Sequence, residues 1–161
     1  TTNNVKLLLP TVLSRVRLVK FGSLPHGVLK EKLRDLYPDF DSESLEMISL
    51  FSLGKTGKAV HLIENPDALA DYIKVYNEVQ GILKNRNIVD RFSYAESISS
   101  DEGQMETFFS LLSSVLRSKL LEGNCDSRSY VNALLKVAEA GMLLKRNINS
   151  KLVLENLMLI L

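Results

Sequence analysis

The distribution of apolar residues predicts helices along most of the chain. Downstream of Pro25, three short segments repeat apolar residues at spacings of three and four, which places them on one face of a helix. Pro38, Gly54 and Asn65-Pro66 separate these segments, because proline and glycine disfavour a continuing helix. The pattern therefore predicts a small three-helix subdomain over residues 25–65.

A second and longer helical region begins at Pro66. Its predicted segments are residues 66–84, residues 87–98, a long helix from Asp101 to Gly123, a helix capped by Asp126 or Ser127, and a final helix over residues 151–161 capped by Ser150. The final helix is apolar on almost every side, which is typical of a helix that is buried or packs on a partner. We expect residues 66–161 to form one helical bundle.

The first 24 residues follow a different pattern. A short apolar run ends at Pro10, and residues 16–21 (VRLVKF) alternate apolar and charged side chains with the period of a β-strand. A single strand leaves its backbone groups unpaired, so it would need a sheet from outside this sequence. The chain also begins without methionine, and we expect it to be a piece of a longer protein. The sequence thus predicts an all-α fold with a leftover strand or loop over residues 1–24.

Composition narrows the functional classes. The chain has 161 residues, 45% of them hydrophobic, and its 20 basic and 19 acidic residues leave a net charge of +1. Such a chain has no strong field for nucleic acid or an anionic membrane, so contact with DNA would have to be local or shared with partners. No apolar run approaches the roughly 20 residues of a membrane-spanning helix. Cys125 is the single cysteine, which excludes an internal disulfide and fits a reducing cytoplasm.

One stretch invites a nucleotide-binding interpretation. Gly54-Lys55-Thr56 resembles the end of a phosphate-binding P-loop, whose full motif lies between a strand and a helix. Ser49 stands where the first glycine of the motif belongs, and the pattern before Gly54 is helical. We therefore interpret these residues as a turn that ends a helix.

The remaining candidates for chemistry are isolated. His26 and His61 are not at the spacing of metal ligands, and Cys125 has no histidine near it in the sequence. The acidic cluster of Asp39, Asp41 and Glu43 is better explained by capping of the following helix than by metal binding. The residues alone predict no metal or cofactor site.

The informative stretch is the first one. Residues 1–15 read TTNNVKLLLPTVLSR, and they resemble a segment of the bacterial clamp-loader ATPases of the AAA+ class, where a stretch like K-L-L-P-T-I-x-S-R-C follows a strand. The resemblance implies that Arg15 is an arginine finger, which reaches the ATP held by a neighbouring subunit, and that Thr2 lies at the edge of the sensor-1 region. Val16 stands where the family has a cysteine, which is not the reacting group. An arginine suits the task because its guanidinium is always charged and grips phosphate oxygens in a bidentate way.

Two further matches lie downstream. Residues 54–62 (GKTGKAVHL) resemble the end of the family's lid, which reads like G-S-x-G-x-A-L-x-L. Gly57 occupies the position where the ATP-hydrolysing subunits carry a sensor-2 arginine. Residues 143–157 (LLKRNINSKLVLENL) resemble the end of the collar domain in the delta-prime branch of the family. The resemblance therefore indicates the branch that does not hydrolyse ATP.

The resemblance implies that this chain takes part in assembly of a complex and has no complete active site of its own. It divides the chain into a tail of the ATPase domain (1–24), a three-helix lid (25–65) and a collar (66–161). The collar would pack with neighbouring collars into a ring. In agreement, the final helix and the helix around Phe108-Phe109 carry more apolar surface than one small bundle needs. The partners would be the gamma/tau and delta subunits, with the sliding clamp and primer–template DNA reached through the assembled complex. The implied location is the cytoplasm, without membrane contact and without a cofactor in this chain.

Two alternatives stay open. The nearer one is the same region of the gamma/tau ATPase branch, against which Gly57 and the Asn147-Ile148-Asn149 ending argue. An intact G-x-x-x-x-G-K-T upstream would favour it. The other is a stand-alone helical adaptor or a helix-turn-helix DNA-binding domain. The near-zero net charge argues against direct DNA binding, which usually needs a basic face.

Overall fold

The all-α prediction is confirmed, since each regular element in the described part of the chain is a helix. The computed structural model describes residues 7–84, 87–123, 127–146 and 148–161. The helices in these ranges are α1 Pro10–Leu13, α2 His26–Leu36, α3 Ser42–Phe51, α4 Thr56–Glu64, α5 Pro66–Lys84, α6 Ile88–Ile98, α7 Glu102–Leu121, α8 Ser127–Leu144 and α9 Ser150–Ile160. The segments predicted downstream of Pro25 correspond closely to α2 through α9.

Side-chain caps explain where several helices begin. The carboxylate of Asp41 accepts a hydrogen bond of 2.8 Å from a backbone N–H in the first turn of α3. Asn87 and Asp101 cap α6 and α7 in the same way. Asn149 caps α9, so the predicted cap at Ser150 is wrong by one position. Each of these caps satisfies an N–H group that the first helical turn leaves unpaired.

The predicted strand at residues 16–21 is wrong. These residues have no regular structure, whereas the short helix α1, which the sequence pattern did not reveal, lies just before them. Pro10 begins α1 because its fixed φ and missing N–H suit the first helical position. No strand occurs in the described ranges, so residues 16–21 have no sheet edge with which to pair. Their apolar side chains are consequently exposed, that of Phe21 by 92%.

Helices α2, α3 and α4 form the predicted three-helix unit. Helix α3 packs against both of the others. The side chains buried in this unit include Leu29, Leu33, Leu45, Ile48, Ala59 and Leu62. Since α4 ends at Glu64 and α5 begins at Pro66, the predicted boundary near residue 65 falls in the turn between them and stays a prediction about domain organisation.

Helices α5 to α9 form the bundle. Helix α7 packs against α5 and α8, and α9 packs against α6 and α8. Residues of the bundle that are fully buried include Phe108, Leu111, Leu112, Leu116 and Leu154. The ring of Tyr94 on α6 tilts against that of Phe108, with their centroids 5.6 Å apart. Much of the apolar surface of α7 is therefore used inside the bundle.

Direct packing of α3 joins the three-helix unit to the bundle. The fully buried ring of Phe51 lies 5.9 Å from the ring of Tyr72 and 5.4 Å from that of Tyr76, both on α5. The hydroxyl of Ser114 on α7 donates to the carbonyl oxygen of Leu50 at 3.1 Å. The buried apolar residues of the two units consequently belong to one continuous cluster.

Candidate functional site

Arg15 lies in an exposed stretch just after α1. Its backbone N–H donates to the carbonyl oxygen of Val12 at 3.0 Å, and the hydroxyl of Ser14 donates to that of Thr11 at 3.1 Å. These two bonds fix the turn from which the side chain projects. Arg15 is exposed, and its guanidinium forms no ion pair or hydrogen bond with the residues that the structure describes. It is therefore accessible to an anion from outside the chain. Thr2, also predicted for this site, lies outside the described residues.

Gly57, at the predicted sensor-2 position, lies in the first turn of α4. A Cβ added there would meet no atom within 4 Å, so packing does not require glycine at this position. The ammonium of the neighbouring Lys58 lies 4.6 Å from the centre of the Tyr72 ring, at the distance of a cation–π contact. Arg15 and Gly57 lie on separate elements, and no hydrogen bond in the described part of the chain joins them.

The Gly54-Lys55-Thr56 stretch includes the turn between α3 and the start of α4. A helix precedes it, so it lacks the strand–loop–helix context of a P-loop. The turn needs left-handed backbone, with φ of 53° at Leu53 and 78° at Gly54. The carbonyl oxygen of Gly54 accepts from the N–H of Leu24 at 2.9 Å, and a Cβ on Gly54 would clash with the carbonyl oxygen of Leu24. The turn therefore holds the residues that lead into α2.

The structure brings together a serine and a histidine that the sequence does not connect. Ser49 Oγ lies 2.7 Å from Nε2 of His26, although the two residues are 23 positions apart in the sequence. Ser49 Oγ also lies 2.8 Å from the carbonyl oxygen of Glu46, so this carbonyl competes with Nε2 of His26 for the hydroxyl proton. Ser49 is also only 1% exposed. The pair therefore ties α2 to α3 and is not a nucleophile–base dyad.

A cleft of about 150 Å³ opens between α5 and α6. It is lined by Glu78, Gly81, Ile82, Asp90, Arg91 and Tyr94. Arg91 is buried, and its guanidinium donates to the carbonyl oxygens of Ile82 and Met158, each at 2.9 Å. Burial, with a smaller contribution from the charge of Glu78, raises the pKa of Tyr94 to about 12. The bonds from Arg91 to two backbone carbonyls indicate a role in stability for this part of the cleft lining, which the sequence pattern did not predict.

The remaining candidates bring no further chemistry together. His61 lies exposed on α4. Asp41 caps α3, and its carboxylate accepts hydrogen bonds from backbone N–H groups, first of all that of Ser44, which lower the pKa of its carboxyl. Cys125, Asp126 and Asn147 lie outside the described residues. Within the described ranges, no group of three or more His, Cys, Asp or Glu side chains is placed to hold a metal ion.

Comparison with known proteins adds no relative. No protein-family model, curated protein or solved structure matches this chain. In the part of the chain that the structure describes, no helix is both long enough and apolar enough to cross a membrane. A functional proposal therefore has to be argued from the residues themselves.

Proposed function

We propose that this chain is the C-terminal part of a clamp-loader subunit of the delta-prime type. In this proposal α2–α4 are the lid, α5–α9 are the collar, and Arg15 is supplied to ATP bound by a neighbouring subunit. The observation that carries the proposal is the placement of Arg15. It ends the stretch KLLLPTVLSR, it is exposed, and it has no ion-pair partner among the described residues.

The task of Arg15 is electrostatic. Its guanidinium offers a planar fork of N–H donors that matches the oxygens of a phosphate, and it stays charged at any physiological pH. When such a group comes from a second subunit, ATP hydrolysis depends on correct assembly. Gly57 supports a role in which this chain assists hydrolysis on its neighbour and does not hydrolyse ATP itself. The chain lacks an arginine at the position where hydrolysing subunits carry one.

The bundle carries the assembly part of the proposal. Its partners are the gamma/tau and delta subunits, and through the assembled complex it acts on the sliding clamp and on primer–template DNA in the cytoplasm. The net charge of +1 supports a DNA contact that is shared across the complex and not made by this chain alone. ATP belongs to the neighbouring subunit, so this chain needs no cofactor of its own.

Reconstitution of the full-length protein with its partner subunits tests the proposal. Arg15→Ala should slow single-turnover ATP hydrolysis on the neighbouring subunit by about 10³-fold, the usual contribution of an arginine finger. Arg15→Lys should recover only part of the rate, because an ammonium keeps the charge and loses the bidentate fork. Assembly, measured by size-exclusion chromatography, should be the same for both variants.

Arg17→Ala is the matched control, since Arg17 is exposed in the same irregular stretch. It should leave hydrolysis and clamp loading unchanged. Equal rates for Arg15→Ala and the unaltered protein would show that the arginine-finger assignment is wrong. Failure of the unaltered full-length protein to assemble with these subunits would remove the delta-prime proposal as a whole.

A further inference from the structure

Helix α8 has apolar residues on two sides. One side packs on α7 and α9 and includes the buried Val137 and Ala140. The other side carries Val131, Leu135 and Met142, whose side chains are exposed by 42%, 63% and 59%. The exposed Ala138 lies between them. Single exposed apolar residues are common, but a continuous row on one helix face indicates an interaction site.

The spacing of this row matches that of a helix-packing seam. The steps from residue 131 to 135, 138 and 142 are four, three and four, which is the repeat of a coiled-coil stripe. The outward side of α5 shows the contrast within the same bundle. Its exposed positions include Asp67, Asp71, Lys74, Asn77 and Glu78. The outward side of α5 thus has no counterpart of the exposed apolar row of α8. We call the row Val131, Leu135, Ala138 and Met142 the α8 face.

Basic residues stand at both ends of the α8 face. Arg128 precedes Val131 by three positions, and Lys145, in the turn after α8, follows Met142 by three positions. Both continue the spacing of the row, and both are exposed. Neither forms an ion pair with a residue in the described ranges. An occupant of the α8 face would consequently meet positive charge at each end.

The same charges argue against a second copy of this chain as the occupant. In an antiparallel pair of α8 helices, Val131 would oppose Met142, so Arg128 would oppose Lys145 of the other copy. In a parallel pair each residue opposes its own counterpart, and Arg128 would again meet a cation. Like charges held across an interface are repulsive, and they select against such a partner.

We propose that the α8 face binds an amphipathic helix of another protein, with apolar residues at the same spacing and an acidic residue at each end. Its apolar side chains would cover Leu135 and Met142, and its acids would pair with Arg128 and Lys145. The apolar contact supplies the affinity, whereas the charges at the ends select the partner. The inference does not involve Arg15 and goes beyond the proposed function.

Two synthetic helical peptides of the length of α8 (18 residues) provide the probe. Both are held helical by an internal cross-link and carry leucines at the spacing of the α8 face, with glutamate at both ends in one and lysine at both ends in the other. Fluorescence anisotropy with the whole chain should show the glutamate peptide binding at least about tenfold more tightly. Exchanging both Arg128→Glu and Lys145→Glu should reverse this preference.

Leu135→Gln should weaken binding of the glutamate peptide by about tenfold or more. Leu36→Gln on α2 is the control, because Leu36 is 69% exposed and lies on a different helix; it should leave the affinity unchanged. Circular dichroism verifies that each variant is folded. No binding of the glutamate peptide, equal affinities for the two peptides, or a dimer of the chain that Leu135→Gln dissociates would each overturn the inference. Arg15→Ala should not affect peptide binding, so this test is separate from that of the proposed function.

Discussion

The guanidinium of Arg91 donates to the backbone carbonyl oxygen of Met158 at 2.9 Å and so ties α6 to α9. A second bond of 2.9 Å runs from the same guanidinium to the carbonyl oxygen of Ile82 on α5. Both carbonyls lie in the last turns of their helices, where C=O groups lack a partner within the helix and the dipole favours a cation. The buried side chain of Arg91 therefore donates hydrogen bonds to carbonyl oxygens at the C-terminal ends of two helices.

Arg91→Ala should lower the free energy of unfolding by about 3 kcal/mol, because two buried carbonyl oxygens lose a charged donor. Arg91→Lys should cost less, since an ammonium keeps the charge but cannot match the geometry of two separate acceptors. Urea denaturation followed by circular dichroism gives both values. Arg117→Ala, at an exposed position of α7, is the control and should change stability by no more than about 0.5 kcal/mol. An effect of Arg91→Ala as small as that of Arg117→Ala would contradict the role assigned to these bonds.

The sequence could not predict the role of Arg91. Within residues 88–98 it is one charged residue among several on an amphipathic pattern, and such residues normally face solvent. Arg91 is buried because the C-terminal ends of α5 and α9 pack next to each other around it. Helix periodicity does not predict which helix ends pack together. The contact between Ser49 and His26 was hidden for the same reason, because it joins separate helices.

Local signals, in contrast, predicted the helices well. Pro66 and the acidic residue after it begin α5 at the expected position, because both satisfy local requirements of a first turn. The strand over residues 16–21 failed because alternation is a local pattern, whereas a strand is stable only beside another strand. The two apolar sides of α8 show a further limit, since periodicity alone does not say which side meets the core. For the candidate site, Arg15 was predicted from the resemblance of residues 1–15 to a family motif, and the structure adds that Arg15 is exposed.

Gly54→Ala should destabilise the protein by about 1–3 kcal/mol, because alanine resists a φ of 78° and its Cβ would clash with the carbonyl oxygen of Leu24. The hydrogen bond from Leu24 to Gly54 should weaken at the same time, which amide hydrogen exchange at Leu24 would detect. Gly57→Ala is the matched control. Gly57 lies in the first turn of α4 with open space around it, so alanine there should stabilise the protein by roughly 0.4–1 kcal/mol, chiefly by restricting the unfolded chain. The interpretation of the turn fails if both substitutions have the same sign.

Asp41 should make the stability of α3 depend on pH in the acid range. Hydrogen bonds from the backbone N–H of Ser44 hold the pKa of the Asp41 carboxyl below its ordinary value of 3.8. A folded-state pKa that is depressed stabilises the protein above the unfolded value, and this contribution is lost as the pH falls through the folded value. Asp41→Asn keeps an acceptor at the cap without the charge.

The stability difference between the unaltered protein and Asp41→Asn should consequently be positive at neutral pH and shrink below pH 3.8. Urea midpoints of the two proteins, measured at each pH, give this difference, and other titrating groups cancel from it. A difference that stays constant through the acid range would show that the carboxylate charge does not act on the α3 cap.

The hydroxyl of Tyr94 should ionise at an unusually high pH, and its raised pKa should lower the stability of the fold in strongly alkaline solution. Burial, followed by the negative charge of Glu78, raises the pKa of Tyr94 from 10.0 to about 12. Because the folded-state value is above the unfolded one, the stabilising contribution is complete below pH 10.0 and is lost as the pH rises through about 12. A spectroscopic titration of the phenolate should show a step near pH 12 that is absent from Tyr94→Phe, which keeps the ring packed on Phe108. Tyr94→Phe should also lose less stability than the unaltered protein over that interval.

Glu78→Gln should lower the pKa of Tyr94 while leaving it above 10.0, because burial is the larger cause. A return of the Tyr94 pKa to 10.0 in Glu78→Gln would instead make the charge of Glu78 the main cause.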